Sequence, residues 1–309
     1  MSDQENSEKK NQEYWRGEVD EIRKDSVHGS HFLADQSLDI IEKFIQKRDY
    51  NNRTELFQSF SKLVNALVRA KPLMALIYYR SHRILDFIES LPKEERDIKK
   101  VQKMVLNEIQ VIRTESVERE KSLIKFGARM ILDQHTLLTH SSSRVVEKIL
   151  LEAKRLKKHF RVVCTESRPL YEGRDMAIRL AKAGIKTRLI ADADLPRVMN
   201  EVNFVITGVD RITETSFINK TGSYAAAIVA RESEVPFYIA LDTAKILPKR
   251  SYPAKFVSVN EREIFDKKVN ELTVENFYFE EIPLSYVHKV VCEAGIFETE
   301  EYFERFLNF

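Results

Sequence analysis

Gly208-Val209-Asp210-Arg211-Ile212 and Asn219-Lys220-Thr221-Gly222-Ser223 put an acid, an amide and an amine close together in the chain. An acid at a pocket mouth can carry protons between substrate atoms. The ammonium of Lys220 stands where a helix starts, and a helix start already attracts anions. Gly222 allows the backbone to approach closely, and Ser223 can cap the helix YAAAIVARE. A plainer reading stands beside this one: an Asp after a strand is often a turn residue, and a Lys-x-Gly-Ser string is weak by itself.

Two further strings are polar in the same way. Thr139-His140-Ser141-Ser142-Ser143-Arg144 precedes a helical pattern. Its hydroxyls can satisfy the first free N–H groups of that helix, or they can join the helix N-terminus in holding phosphate, and the two roles are compatible. Thr165-Glu166-Ser167-Arg168-Pro169 is followed by Gly173 and Arg174. The planar fork of Arg168 suits carboxylate or phosphate, unless it pairs with Glu166 as scaffold.

These strings need elements to hold them. From Ser30 to Leu132 apolar residues recur at helical spacing, as in Leu38, Ile41 and Ile45 or Leu56, Phe60, Leu63 and Leu67, with Pro72 and Pro92 as breaks. The expected layout is a polar tail over 1–20, a helical domain over 21–132 and an α/β domain over 133–309. In the last, the runs TLLTH, FRVVCTE, KTRLIA, NFVITG, PFYIAL and AKFVSV read as strands, separated by helical segments. Such alternation predicts a parallel, Rossmann-like sheet covered on both faces, with its ligand at the C-terminal strand ends. The four polar strings fall at those ends.

The 309 residues carry Lys+Arg 50 against Asp+Glu 48, a net charge of +2, so no general field favours nucleic acid or an anionic membrane. Cys164 and Cys292 stand far apart without metal-ligand spacing, which argues against a disulfide framework or a zinc site and for a reducing compartment. No cofactor or metal is called for. The N-terminal text is polar and no apolar run is long enough to span a bilayer, so a cytoplasmic protein is expected.

In their order and spacing the strings resemble one family: the alpha, beta and delta subunits of translation initiation factor 2B, with the methylthioribose-1-phosphate and ribose-1,5-bisphosphate isomerases. The matching text is LLTHSSSRVV at 137–146, TESRPLYEGRDMA at 165–177, VITGVDRI at 205–212, INKTGSY at 218–224, PFYIALDTAKI at 236–246 and VENFYFEEIP at 274–283, with VHGSHFLADQSL at 27–38 and KPLMALIY at 71–78 upstream. The resemblance implies a sugar-phosphate pocket between a helical and a Rossmann-like domain, and dimers formed through the C-terminal domains.

It also assigns roles. The isomerases move protons with a Cys after Thr-His and with an Asp; here the Asp is Asp210, but Ser141 stands at the Cys position. A thiol titrates near neutral pH, whereas an unassisted hydroxyl needs a neighbouring base. His140 should point to the opposite face of its strand, and Cys164 lies in an apolar strand. Where the isomerases grip phosphate with two Arg residues, this chain has His28 before Gly29 and Lys71 before Pro72. Ser142, Arg168, Asn219 and Lys220, from the strand-end strings, complete the expected ligand-binding set.

The run SRVV at 143–146 is closer to an archaeal-type alpha-like subunit, while GVDRI and NKTG are closer to the isomerases. The expected function is a factor 2B alpha-like regulatory subunit that binds a sugar phosphate or nucleoside monophosphate. Its expected partners are a second copy, in a homodimer or higher oligomer through the C-terminal domain, and initiation factor 2 or related subunits. The alternative is an aldose-phosphate isomerase acting through Asp210 and Ser141. Phe277, Tyr278, Phe279 and Phe309 are candidates for the dimer contact, with core burial the competing reading of the first three.

Overall fold

A computed structural model describes residues 15–47, 49–92 and 95–307. The chain divides into two compact units, Met1–Ser116 and Val117–Phe309. The first is helical: α1 (Trp15–Lys24), α2 (Ser30–Lys47), α3 (Arg53–Ala70), α4 (Ala75–Ser90) and the opening of α5 (Ile98–Met130). The tail expected over 1–20 is shortened by α1, because Trp15, Val19 and Ile22, spaced by four and three, form a buried stripe within polar text. Residues 1–14 and Phe309 lie outside the described residues.

Leu33, Leu38, Ile41, Phe44, Leu56, Phe60 and Leu63 form a fully enclosed core in the helical unit. Asn52 caps α3 by accepting from the N–H of Glu55 at 2.9 Å. The units divide after Ser116, within α5, rather than at 132/133. The reason is packing: Leu123, Ala128 and Ile131 of α5 belong to the hydrophobic cluster of the sheet. Gly127 is where α5 meets the helix after β1, since a Cβ there would stand 2.5 Å from Ile149 Cδ1.

The second unit runs β1 (Thr136–Thr139), α6 (Arg144–Arg155), β2 (Arg161–Thr165), α7 (Glu172–Lys182), β3 (Lys186–Ile190), α8 (Leu195–Val198), β4 (Phe204–Gly208), β5 (Arg211–Ile212), β6 (Ser216–Lys220), α9 (Ser223–Glu232), β7 (Phe237–Ala240), β8 (Phe279–Pro283), β9 (Lys289–Cys292), β10 (Gly295–Glu298) and α10 (Thr299–Tyr302). The main sheet has the order β10-β9-β7-β4-β1-β2-β3 and is parallel except for β10. A second sheet, β5-β6-β8, is antiparallel. After β3 the chain returns to the other side of β1, so the strand order reverses between β1 and β4, where open α/β sheets form their ligand crevice.

Five of the six expected strands are present. AKFVSV is not a strand: residues 254–259 run as irregular chain, with Val257 exposed. The sheet position beside β7 goes to Lys289–Cys292 instead, whose Val290, Val291 and Cys292 are enclosed. Both segments are short and rich in valine and other apolar residues, and only the second has hydrocarbon to pack against.

A candidate ligand crevice at the strand ends

The sheet brings the ends of β1, β2 and β4 side by side, and β6 delivers Lys220. At the end of β1, Ser141 takes a left-handed backbone conformation with φ 69°. Its N–H donates to Ser167 Oγ at 2.7 Å, and its hydroxyl donates to Glu172 Oε1 at 3.0 Å. Lys220 Nζ reaches the same Glu172 oxygen at 2.8 Å and lies 5.0 Å from the centre of the Tyr278 ring. Glu172 Oε2 is buried and accepts no hydrogen bond among the described residues.

His140 is enclosed beside this group. Its Nε2 faces the Thr221 carbonyl oxygen at 2.8 Å and its Nδ1 faces Thr165 Oγ1 at 2.7 Å. A carbonyl only accepts, so Nε2 carries the proton, Nδ1 accepts, and the Thr165 hydroxyl donates to it. The Ser167 hydroxyl lies 3.1 Å from Thr165 Oγ1 and continues the chain. Burial pushes the His140 pKa below its ordinary value, against a raising influence from the Thr221 carbonyl and from Asp192, Glu172 and Glu280. His140 is thus neutral with both nitrogens engaged by Thr165 and Thr221, while the Ser141 hydroxyl is directed to Glu172.

Asp210 follows β4. One residue beyond the Arg211–Ile218 pairing, the register sets it opposite Asn219, and its N–H donates to the Ile218 carbonyl at 2.9 Å. The turn is held from behind. The enclosed guanidinium of Arg211 donates to the carbonyls of Leu247 and Pro248, both at 2.9 Å, and the buried Lys245 ammonium donates to the Val209 carbonyl. Asn219 donates to Ser223 Oγ at 2.8 Å, and the Ser223 hydroxyl donates to the Lys220 carbonyl at 2.6 Å.

The helix starts differ in what occupies them. Ser143 caps α6 by accepting from the Val146 N–H, and Ser142 Oγ accepts from Arg179 at 2.7 Å. At α9 the Glu280 carboxylate, from β8, accepts from the N–H groups of Gly222 at 2.7 Å and Tyr224 at 2.8 Å. The anion expected at that helix start is therefore supplied by the protein itself. Asp192 accepts from the N–H groups of Ser167 and Arg168, both at 2.8 Å.

Arg168 does not pair with Glu166, which is bound to Arg174 at 2.6 Å. Its guanidinium bonds the Tyr171 hydroxyl and lies 3.5 Å from the Glu263 carbonyl oxygen. The crevice is closely built: a Cβ on Gly173 would stand 1.9 Å from the Thr165 carbonyl oxygen, one on Gly208 would stand 2.4 Å from Ser143 Oγ, and one on Gly222 would stand 2.6 Å from the His140 ring.

The helical unit carries the other expected residues. His28 and Lys71 converge on Asp25, through His28 Nδ1 at 2.7 Å from its carboxylate and Lys71 Nζ at 2.5 Å from its carbonyl. Burial raises the Asp25 carboxyl, but hydrogen bonds from His28 and Val27 outweigh it and hold the group below its ordinary value. Burial also lowers the Lys71 ammonium, partly offset by Asp25. Gly29 is exposed and a Cβ there would meet nothing within 4 Å, so sterics do not require glycine.

Sequence reasoning did not single out Glu172, Asp192, Glu280 or Asp25. Cys164 is enclosed in the apolar cluster, and burial pushes its thiol up to about 12, which removes it as a substitute proton carrier. Among the described residues no group of His, Cys, Asp and Glu could hold a metal ion, and no helix is long and apolar enough to cross a membrane.

The fold defines a protein with a helical N-terminal region and a mostly parallel sheet, with polar side chains gathered where the strand order reverses. Residues 26–299 match the model of the Initiation factor 2 subunit family, and the chain belongs to that family. It is 31% identical over 277 residues to a putative translation initiation factor eIF-2B subunit 2-like protein of Pyrococcus horikoshii, covering 89% of this chain and 93% of that one. It is also 25% identical over 283 residues to the ribose 1,5-bisphosphate isomerase of Methanocaldococcus jannaschii, covering 90% and 89%. The crystal structure of the Pyrococcus horikoshii OT3 translation initiation factor eIF-2B superimposes with a TM-score of 0.76 at 27% identity, covering 92% of this chain and 96% of that one.

Proposed function

We propose that the chain is a factor 2B alpha-like regulatory subunit, a cytoplasmic protein that holds a sugar phosphate or nucleoside monophosphate in the crevice and docks on a protein partner. The observation that carries this reading is Ser141. At the position where the resemblance calls for a reactive thiol stands a hydroxyl, and Cys164 and Cys292 are both enclosed with raised pKa values, about 12 and about 11. Lys220, Asn219, Arg168 and Ser142 are the proposed ligand contacts of this unit, and His28, Gly29 and Lys71 those of the helical unit. Assembly as a homodimer or higher oligomer through the C-terminal domain, and with initiation factor 2 or related subunits, belongs to the same proposal.

The purified protein is expected to leave ribose 1,5-bisphosphate unchanged while AMP or ribose 5-phosphate raises its melting temperature, because a ligand that binds only the folded state stabilises it. Conversion to ribulose 1,5-bisphosphate at an ordinary enzymatic rate overturns the reading.

A second reading, aldose-phosphate isomerase, is favoured by one contact: Ser141 is not unassisted, since Glu172 accepts its proton-bearing bond at 3.0 Å. With Asp210 as the second proton carrier, Asp210→Asn should then abolish turnover.

A further inference from the structure

Glu172 holds the two side chains that the crevice would offer to an anion. Its Oε1 accepts from both Lys220 Nζ and Ser141 Oγ, and the Lys220 side chain is only 6% exposed. Of the groups around this enclosed ammonium, Glu172 is the carboxylate that it pairs with, and the Tyr278 ring lies 5.0 Å away. The surroundings add negative charge, since Asp192 and Glu280 act on His140 together with Glu172. An incoming phosphate therefore meets the Glu172 carboxylate at Lys220 unless Glu172 leaves.

The two resident carboxylates are held differently. Glu280 extends from a paired strand and accepts from two backbone N–H groups, so its place is fixed by main chain. Glu172 is the first residue of α7, is held by side-chain donors alone, and keeps 19% of its side chain exposed. Its second oxygen is buried and accepts no hydrogen bond, so its resting position leaves half of a charged group unpaid in hydrogen bonds. At a helix start its charge remains favourable when the side chain swings outward, because the helix dipole stabilises it in either position.

We propose that Glu172 is a built-in counter-ion that sets the specificity of the crevice: a phosphorylated ligand competes with its carboxylate for Lys220 and Ser141. This rests on the reading that the crevice binds an anionic metabolite. The consequence is that the wild-type protein discriminates against simple phosphate and answers to ligands whose remaining groups compensate for displacing Glu172.

The test is calorimetric titration of inorganic phosphate and ribose 5-phosphate into the full-length wild type, Glu172→Gln, Lys220→Met and the double variant. Gln is isosteric; it removes the charge and replaces one acceptor oxygen by an amide NH2 donor. Glu172→Gln is expected to bind both probes at least tenfold more tightly than wild type, and the gain should vanish in the double variant. Equal or weaker binding by Glu172→Gln, with wild-type binding still weakened by Lys220→Met, overturns the counter-ion role and leaves the crevice reading standing. An absence of titration by wild type and Glu172→Gln alike overturns both. Should Glu172→Gln not fold, glutamate-labelled wild type answers the question: saturating ribose 5-phosphate must move the Glu172 carboxyl resonance, and a resonance that stays still overturns the proposal.

Discussion

The helical unit and the α/β unit bury different things. In the first, Phe44, Phe60 and the leucines and isoleucines around them fill most of the interior; Arg83 with Glu108 and Glu115, and Arg113 with Asp39 and Glu42, pair nearer its surface, and the enclosed Arg80, bound to Asp35 and Ser116, is the exception. In the second, hydrocarbon stops at the strand ends and gives way to an enclosed polar network of His140, Thr165, Ser167, Asn219, Lys220 and Ser223. Hydrocarbon packing has no direction, so the first interior needs volume. The second needs each donor to find its one acceptor, because an unpaired buried polar group costs more than a hydrogen bond returns. A fold can be kept by the first kind of interior while a binding site needs the second.

The contrast predicts which substitutions matter and how. The largest effect is expected in the helical core: Phe60→Ala should cost about 3–5 kcal/mol, read by urea unfolding through the fluorescence of Trp15, the only tryptophan and a buried part of that unit. A loss below about 1 kcal/mol would mean that this interior does not depend on volume.

Gly222→Ala adds one methyl group in the crevice and should cost about 1–3 kcal/mol, because its φ of 104° disfavours any side chain and the new Cβ would overlap the His140 ring. Circular dichroism during urea unfolding measures it. An unchanged midpoint would remove the claim that the network is directional.

The smallest effect is a pH dependence. His140 has a folded pKa below its ordinary 6.5, so the unfolded chain binds the proton more readily. Its contribution to stability is present above pH 6.5 and is lost as the pH falls from there through the lower, folded value. The imidazole resonances of His140 should show a neutral ring with the proton on Nε2 just below pH 6.5, and the urea midpoint should decline with acidification. A His140 ring that protonates at or above 6.5 in the folded protein would contradict its burial as the deciding influence.

Much of the architecture was legible along the chain. Five strands lay where β-rich runs alternate with 3.6-residue periodicity, and Ser143, at the end of the serine string, does cap α6. The misreadings have a common origin. AKFVSV and KVVC are alike as text, and the Trp15 helix is masked by polar neighbours; in each case what decided the outcome was whether other elements supplied an apolar surface. Glu172 lies inside TESRPLYEGRDMA, in the first turn of α7, where an acid is ordinary and marks no pocket. Nothing near it announced that Lys220, from another strand, would come within 2.8 Å.

The sequence by itself determined most of the element types, the parallel sheet, Asp210 after a strand and Ser223 at a helix start, because periodicity, turn residues and capping act over a few neighbours. The strand that holds Asn219 and Lys220 was not legible. Tertiary structure alone decided that the free anion sites at Lys220 and at the start of α9 are taken by Glu172 and Glu280, that His140 is neutral with a fixed tautomer, and that His28 and Lys71 meet on Asp25. Charge and hydrogen bonding depend on which groups meet across space, and a linear order of residues carries no such distances until the strands have been laid side by side.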